Sequence, residues 1–175
     1  RRSIGAYNVE QSRTRYEWGK DNKLLKMLNE IAKAKTDFTY DTFDNLISAS
    51  YNENGQTETV YRMPDKIGNL FKTKERSDRK YGKGGQLQQD EKYNYYYDAE
   101  GNLLLKEFRS NSNERTADIT AYAAERKIVL KGSATGWAYE WAANGMLKKV
   151  INPGGAQVLF NYDPLGRRIA KQHKN

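Results

Sequence analysis

The chain has no cysteine, one histidine and three prolines among its 175 residues. The missing cysteines exclude disulfides, thiol nucleophiles, iron–sulfur clusters and cysteine-ligated zinc. A lone His173 near the C-terminus leaves no multi-histidine metal site, and a Ser-His-Asp triad would have to use that tail residue, which reads as solvated. No apolar run approaches the roughly 18 residues of a membrane span. The sequence opens Arg1-Arg2-Ser3 with no signal peptide and no methionine, which predicts a piece of a longer chain. Hydrophobic residues make up only 37%, and mean hydropathy is −0.98, so aliphatic side chains are too scarce to fill a large core alone.

Aromatics are not scarce. Thirteen tyrosines, five phenylalanines and three tryptophans each bury a large apolar area and can take over part of the core. The charged fraction is 30% with a net charge of +8. That balance permits binding to nucleic acid, anionic lipid or an acidic protein, but its plain reading is a solvated basic surface. Even the densest basic stretch, 72–80, is interrupted by Glu75 and Asp78. We therefore expect no nucleic-acid partner.

The aromatics fall into a repeat. An aromatic is followed by a Gly/Asn/Asp turn and then an aliphatic residue in Tyr97-Asp98-Ala99-Glu100-Gly101-Asn102-Leu103, in Tyr40-Asp41-Thr42-Phe43-Asp44-Asn45-Leu46 and in Trp141-Ala142-Ala143-Asn144-Gly145-Met146-Leu147. Copies also start at Trp18, Tyr81 (with Gly85 in the turn) and Tyr162 (Tyr162-Asp163-Pro164-Leu165-Gly166), and a looser one runs from Tyr61 to Gly68 across a three-residue insertion. The anchors recur every 16 to 22 residues, with one gap of 44 that leaves room for a degenerate copy near Tyr122. A period near 20 suits one two-stranded hairpin with its turns and is too short for a helix pair.

Local chemistry agrees. Asn54-Gly55 and Asn144-Gly145 are two-residue hairpin signals, because such turns need positive φ. Alternation over Ala156–Tyr162 and Lys92–Asp98 has the period of a strand, with Tyr93, Tyr95 and Tyr97 on one face and Tyr96 on the other. Leu24–Ala32 has helical spacing, but the repeat register demands strands there, and pairing outweighs weak propensity. Asn113–Arg126 reads as a short helical or irregular insertion. The expectation is one all-β domain over 1–175, built of successive antiparallel hairpins in a curved or spiral sheet that forms a partial shell.

These motifs, together with Pro64-Asp65-Lys66-Ile67-Gly68-Asn69-Leu70-Phe71 and the stretch from Asp78 to Leu87, resemble the YD repeat of the bacterial core of Rhs (rearrangement hot spot) proteins. The resemblance covers Arg13 to Lys171. It implies a structural scaffold: YD strands winding into a shell that encloses the C-terminal toxin of a secreted or cell-surface polymorphic toxin. The partners it implies are the rest of the parent chain and the enclosed toxin segment. The same family can end in an autoproteolytic segment with paired Asp-Pro-x-Gly motifs. Only one such motif occurs here, Asp163-Pro164-Leu165-Gly166, inside an ordinary copy, so that activity is not carried over.

The motif residues read as structural before anything else: the aspartate can accept turn N–H groups, the glycine supplies positive φ, and stacked units bury what one cannot. No catalytic residue, cofactor or metal is expected. Carboxylates close in sequence, Asp98 with Glu100, Asp41 with Asp44 and Glu53 with Glu58, are the only candidates for glycosidic acid–base chemistry, and all sit at turns. Gly82-Lys83-Gly84-Gly85 lacks the spacing of a phosphate loop. The alternative function is an extracellular adhesion module that binds carbohydrate or protein, with Tyr93, Tyr95, Trp137 and Tyr139 stacking on sugar rings. Exposed sheet edges predict self-association, through Arg13–Trp18 and Gln157–Tyr162.

Overall fold

A computed structural model describes residues 2–4, 10–110 and 119–174. The chain divides into two compact units, Arg1–Asp78 and Arg79–Asn175. In the first, strands β1 (Arg2–Ile4), β2 (Glu10–Trp18), β3 (Leu24–Asn29), β4 (Ala34–Tyr40), β5 (Leu46–Glu53) and β6 (Gln56–Tyr61) form one sheet in chain order. A separate two-stranded ribbon joins β7 (Met63–Pro64) to β8 (Leu70–Phe71). In the second unit, β9 (Lys80–Tyr81), β10 (Leu87–Gln89), β11 (Tyr93–Tyr97), β12 (Leu103–Phe108), β13 (Gly136–Trp141), β14 (Leu147–Ile151), β15 (Gln157–Tyr162) and β16 (Arg168–Lys174) form an eight-stranded sheet, again in chain order. The strand pairs are antiparallel and the sheets are open. The only α-helix among the described residues is α1, Thr120–Glu125.

The segment with helical spacing is strand. Lys26 pairs with Glu17 on one side and Asp37 on the other, so Leu24–Asn29 gains two ladders where a helix would gain none. Ile31 and Ala32 fall in the following turn, where their N–H groups donate to Asn29 Oδ1. The gap of 44 residues, by contrast, shows no further hairpin among its described residues. β12 pairs directly with β13, through Leu105–Ala138 and Lys106–Trp137, so the described part of the chain between them lies outside the ladder. Tyr122 begins no repeat. It lies on α1, and its hydroxyl donates to the Tyr139 carbonyl. Of the expected insertion 113–126, residues 113–118 lie outside the described residues. The rest is α1 with its flanks.

The buried centre is aliphatic and small rather than aromatic. In the second unit Leu105, Ile119, Ala123 and Ala138 are buried together, with Tyr96, Tyr122, Ile128, Leu130 and Ile151 packed around them. Register explains the choice: Tyr96, Leu105, Ala138 and Ile151 are successive cross-strand partners and so share the face that α1 covers. The first unit buries Ala49 with the polar Thr36 and Ser48. Hydroxyl pairs link its neighbouring strands, Thr39 with Ser48 and Ser50 with Thr59. One strand expected at an edge is paired on both sides: Gln157–Tyr162 is covered along its length by β16. Of Arg13–Trp18, β1 pairs with Arg13, its other partners being Glu10 and Ser12.

Among the described residues one charged side chain is wholly buried. Glu107, with 0% exposure, lies on the core face of β12. Its Oε2 accepts from Tyr96 Oη at 2.7 Å, Asn94 Nδ2 at 3.1 Å and the Lys131 N–H at 3.1 Å. Its Oε1 accepts the N–H groups of Gly132 at 2.9 Å and Ala134 at 3.1 Å. No cation takes part in these five bonds. Burial alone pushes the carboxyl pKa up, and the bonds from Tyr96, Asn94 and the backbone outweigh it, leaving the group below its usual range. The insertion reaches this carboxylate closely enough that a Cβ on Gly132 would lie 2.2 Å from the Phe108 oxygen, and one on Gly136 2.0 Å from the Lys106 oxygen.

Glu107 therefore fastens the returning insertion to the sheet. Glu107→Ala should cost about 3–5 kcal/mol, because it strands several buried donors at once. Glu107→Gln, equal in size, should also destabilise, since its amide N–H₂ faces donors. Urea unfolding measures both, and a loss below about 1 kcal/mol for either would contradict the account. With a lowered folded pKa, this stabilisation is present above the unfolded value of about 4.3 and is lost as pH falls through the folded one.

Candidate functional site

The sequence repeat becomes a repeated piece of geometry. Eight five-residue loops, 19–23, 41–45, 65–69, 82–86, 98–102, 142–146, 152–156 and 163–167, are each closed by a bond from the first N–H to the fifth carbonyl, at 2.8–3.0 Å. The fourth residue of every loop has positive φ, from 57° at Asn22 to 90° at Gly68. Gly85, Gly101, Gly145, Gly155 and Gly166 hold that place elsewhere, and Asp44 holds it in 41–45. A tight turn followed by a left-handed residue forms a bulge, which adds twist and bends the strand. The pairing register shifts accordingly at Trp18, Tyr40, Tyr97, Trp141 and Tyr162.

The motif aspartates close these loops from inside. Oδ1 of Asp41, Asp65, Asp98 and Asp163 accepts the N–H of the fifth residue at 2.7–2.9 Å. Oδ2 accepts that residue's side chain: Asn45, Asn69 and Asn102 through Nδ2, and Arg167 through Nε. The Asn45 bonds are the main cause of a lowered pKa at Asp41, and the Arg167 backbone bond does the same at Asp163. Asn152 closes 152–156 in the same way without an aromatic before it. In 65–69 Pro64 stands directly before the loop, and Tyr61 ends β6 three residues earlier. The Gly82–Gly85 stretch is another of these loops, with Gly84 and Gly85 both at positive φ.

The anchors point one repeat back. Tyr40 Oη donates to the Leu24 carbonyl at 3.0 Å, Tyr97 Oη to Leu87 at 2.9 Å, Trp141 Nε1 to Leu103 at 2.8 Å and Tyr162 Oη to Leu147 at 3.0 Å. Each acceptor is the residue just after an earlier loop: 19–23, 82–86, 98–102 and 142–146 in turn. The ladder to the next strand begins two residues further on, at Lys26, Gln89, Leu105 and Lys149. Each of these carbonyls thus lies past the ladder's end on that side, and the anchor's tip supplies a donor for it. Trp18, in the first repeat, is 60% exposed.

The four residues considered for sugar stacking lie on the sheet face opposite α1. Tyr93 meets Trp137 edge-on, with centroids 5.5 Å apart and planes at 76°, and Tyr95 at 6.2 Å and 67°. Phe108 joins them, 5.1 Å from Tyr93 and 5.3 Å from Trp137. Lys106 Nζ sits 3.8 Å from the Tyr93 centroid and 4.6 Å from that of Trp137, taking a face of each ring. Burial holds the pKa of Lys106 down, and Tyr95 donates to Asp90 Oδ2 at 2.7 Å. Tyr139, two residues beyond Trp137 on β13, has its pKa raised by burial and then by the nearby Tyr93. The arrangement is that of packed rings around a cation, not a row of coplanar platforms.

The carboxylate pairs sit at turns. Asp41 is held within its loop, while Asp44 pairs with Lys23. Glu53 lies at the end of a hairpin opposite Gln56, and Glu58 opposite Tyr51. His173 lies in β16 opposite Val158, in a paired strand rather than a loose tail. Among the described residues no group of three or more His, Cys, Asp or Glu side chains converges as a metal site would require. Sequence reasoning missed three things: Asn at the fifth loop position, the carbonyls past the ladder's end, and Glu107. Only the first leaves a trace in the sequence, as a recurrent Asn-Leu.

The loop geometry predicts graded costs. Tyr97→Phe removes one hydrogen bond and should destabilise by about 0.5–1.5 kcal/mol. Gly101→Ala forces a Cβ into a left-handed position and should cost about 1–2 kcal/mol. Thermal unfolding followed by circular dichroism would read both, and unchanged midpoints would show that the motif residues do not hold the hairpins together.

No protein-family model matches the chain. Two curated proteins of Dickeya dadantii (strain 3937), named probable deoxyribonuclease RhsA and probable deoxyribonuclease RhsB, are each 30% identical over 88 residues. That alignment takes in 50% of this chain and 5% of each relative, so the chain spans a small part of their length. Among solved structures, a Tc holotoxin pore of Photorhabdus luminescens carrying a TccC3 mutation aligns with 96% of this chain and 11% of its own, at 16% identity and a TM-score of 0.45. A crystal structure of TcdB2–TccC3–Cdc42 aligns with 98% of this chain and 12% of its own, at 14% identity and a TM-score of 0.47. Over half its length, this chain of YD-type hairpin loops is related in sequence to Rhs proteins.

Proposed function

We propose that the chain is structural wall: a YD-repeat domain over 1–175, one stretch of a longer Rhs shell that encloses a C-terminal toxin segment of a secreted or cell-surface toxin. The observation that carries this reading is the anchor bond. Four aromatic tips, those of Tyr40, Tyr97, Trp141 and Tyr162, tie their hairpins to the backbone of an earlier one, at Leu24, Leu87, Leu103 and Leu147. Such a link adds units end to end without a central site. Stacked units that contact only their neighbours make extended surfaces, and an extended curved surface is what an enclosure requires. The motif residues are used up in this work, because their polar atoms face loops and carbonyls. The nuclease activity named for the Dickeya relatives is assigned in this reading to other parts of those much longer chains. The parent chain and its enclosed segment are the partners.

Two measurements test the reading. The purified chain should leave plasmid DNA uncut in the presence of magnesium, and cleavage abolished by a single acidic substitution would refute the structural assignment. In the parent protein, the enclosed segment should resist added protease, and Tyr97→Ala with Trp141→Ala should expose it to digestion. Equal digestion rates before and after the substitutions would overturn the enclosure. Binding to a glycan array that disappears in Trp137→Ala, with the fold retained, would move the assignment to an adhesion module.

A further inference from the structure

The first unit carries a groove of about 910 Å³, lined by the loops 41–45 and 65–69 and by the chain around Arg76. Three cations stand in its lining, Arg62, Lys66 and Arg76, all exposed. None of them has a carboxylate partner among the described residues. Arg76 is fixed instead by a bond from its Nε to the Pro64 carbonyl at 2.9 Å. Other cations of the unit do lie in ion pairs, Arg13, Arg15, Lys23, Lys26 and Lys35 among them. The lining does contain Asp41 and Asp65, but their oxygens are turned into their own loops and accept loop N–H groups. Among the described residues no ion pair joins these aspartates to the three cations, which stay open to solvent.

The apolar part of the groove narrows the ligand class. Leu46 and Leu70 contribute aliphatic surface, at 41% and 45% exposure, and Phe43 stands 84% exposed beside them. We infer that this groove binds an acidic peptide segment, with an apolar side chain of the segment against Phe43 and Leu70 and its carboxylates on Arg62, Lys66 and Arg76. Charge complementarity favours this occupant. A second copy of the chain carries the same +8 and is repelled. A phosphate backbone brings charge at every unit, and it would have to run past Asp41 and Asp65 as well as past the three cations. A peptide can place carboxylates at separated positions and leave the space between them apolar. This binding surface goes beyond the wall assignment and does not depend on it.

The probe is a fluorescein-labelled twelve-residue peptide rich in Asp and Glu around one central Phe, titrated with the full chain and read by anisotropy. The peptide should bind, and binding should weaken as salt is raised. Arg62→Glu with Lys66→Glu and Arg76→Glu should lower affinity by about tenfold or more, and Phe43→Ala should lower it several-fold. Circular dichroism checks the fold of each variant, and the triple Gln variant serves if the triple Glu variant is misfolded. A lysine-rich peptide with the same Phe should not bind. Absence of binding by the acidic peptide, or equal affinity in the charge-reversed and wild-type chains, would overturn the inference. So would tighter binding of heparin or a twelve-nucleotide oligodeoxythymidylate through the same three cations, or a dimer in sedimentation that the same substitutions dissociate.

Discussion

The fold depends on a problem of backbone satisfaction. A hairpin that ends in a bulge leaves a carbonyl past the end of its next ladder, and in a thin sheet with few aliphatic residues there is little else to shield it. The Tyr or Trp of the following repeat reaches back and donates to that oxygen. The same side chain thereby covers the hairpin end and fixes the spacing of consecutive turns. Because the donor lies in one repeat and the acceptor in the one before, the link is directional along the chain.

The scarcity of aliphatic residues has a structural counterpart. Leu105, Ile119, Ala123 and Ala138 are the buried hydrophobic cluster of the second unit, and the first unit buries two hydroxyl residues beside Ala49. Polar contacts carry part of what a larger core would carry. Glu107 is the extreme case, a carboxylate at the centre of the second unit with neutral donors around it. Such a network is sensitive to the loss of any one member, because each donor left over is buried. It also pins the returning end of the insertion, at Lys131, Gly132 and Ala134, without lengthening the sheet.

Much of the hairpin layout was legible in the sequence. The aromatic spacing, the Asn-Gly turns and the alternation at Gln157–Tyr162 mark strand ends, because positive φ and period-two burial restrict residue type locally. The strand at Leu24–Asn29 was legible only through the repeat register, since local propensity there points to helix. Three features were not legible. The chain between β12 and β13 imitates a two-period gap in length while lying outside the ladder, and length alone does not tell an insertion from a degenerate copy. Glu107 has no local mark, because its five donors come from residues 94–134 and meet only after β11 pairs with β12 and the chain returns into β13. The edge position of β15 was misread, since its cover, β16, is a charged strand that looks like a tail.

The anchor bond ends on a main-chain oxygen, and a main-chain oxygen is present whatever the side chain. The acceptor position is therefore free of any chemical requirement of its own, and the donor position asks only for a flat ring with an N–H or O–H at its far tip. Tyr40, Tyr97, Trp141 and Tyr162 already exchange phenol for indole on that basis. The loops ask for little more: a positive-φ residue in the fourth place and, in half of them, an aspartate in the first. An architecture addressed through its backbone in this way can drift widely in sequence while every strand keeps its neighbour. Kinship among such chains fades from the letters well before it fades from the shape.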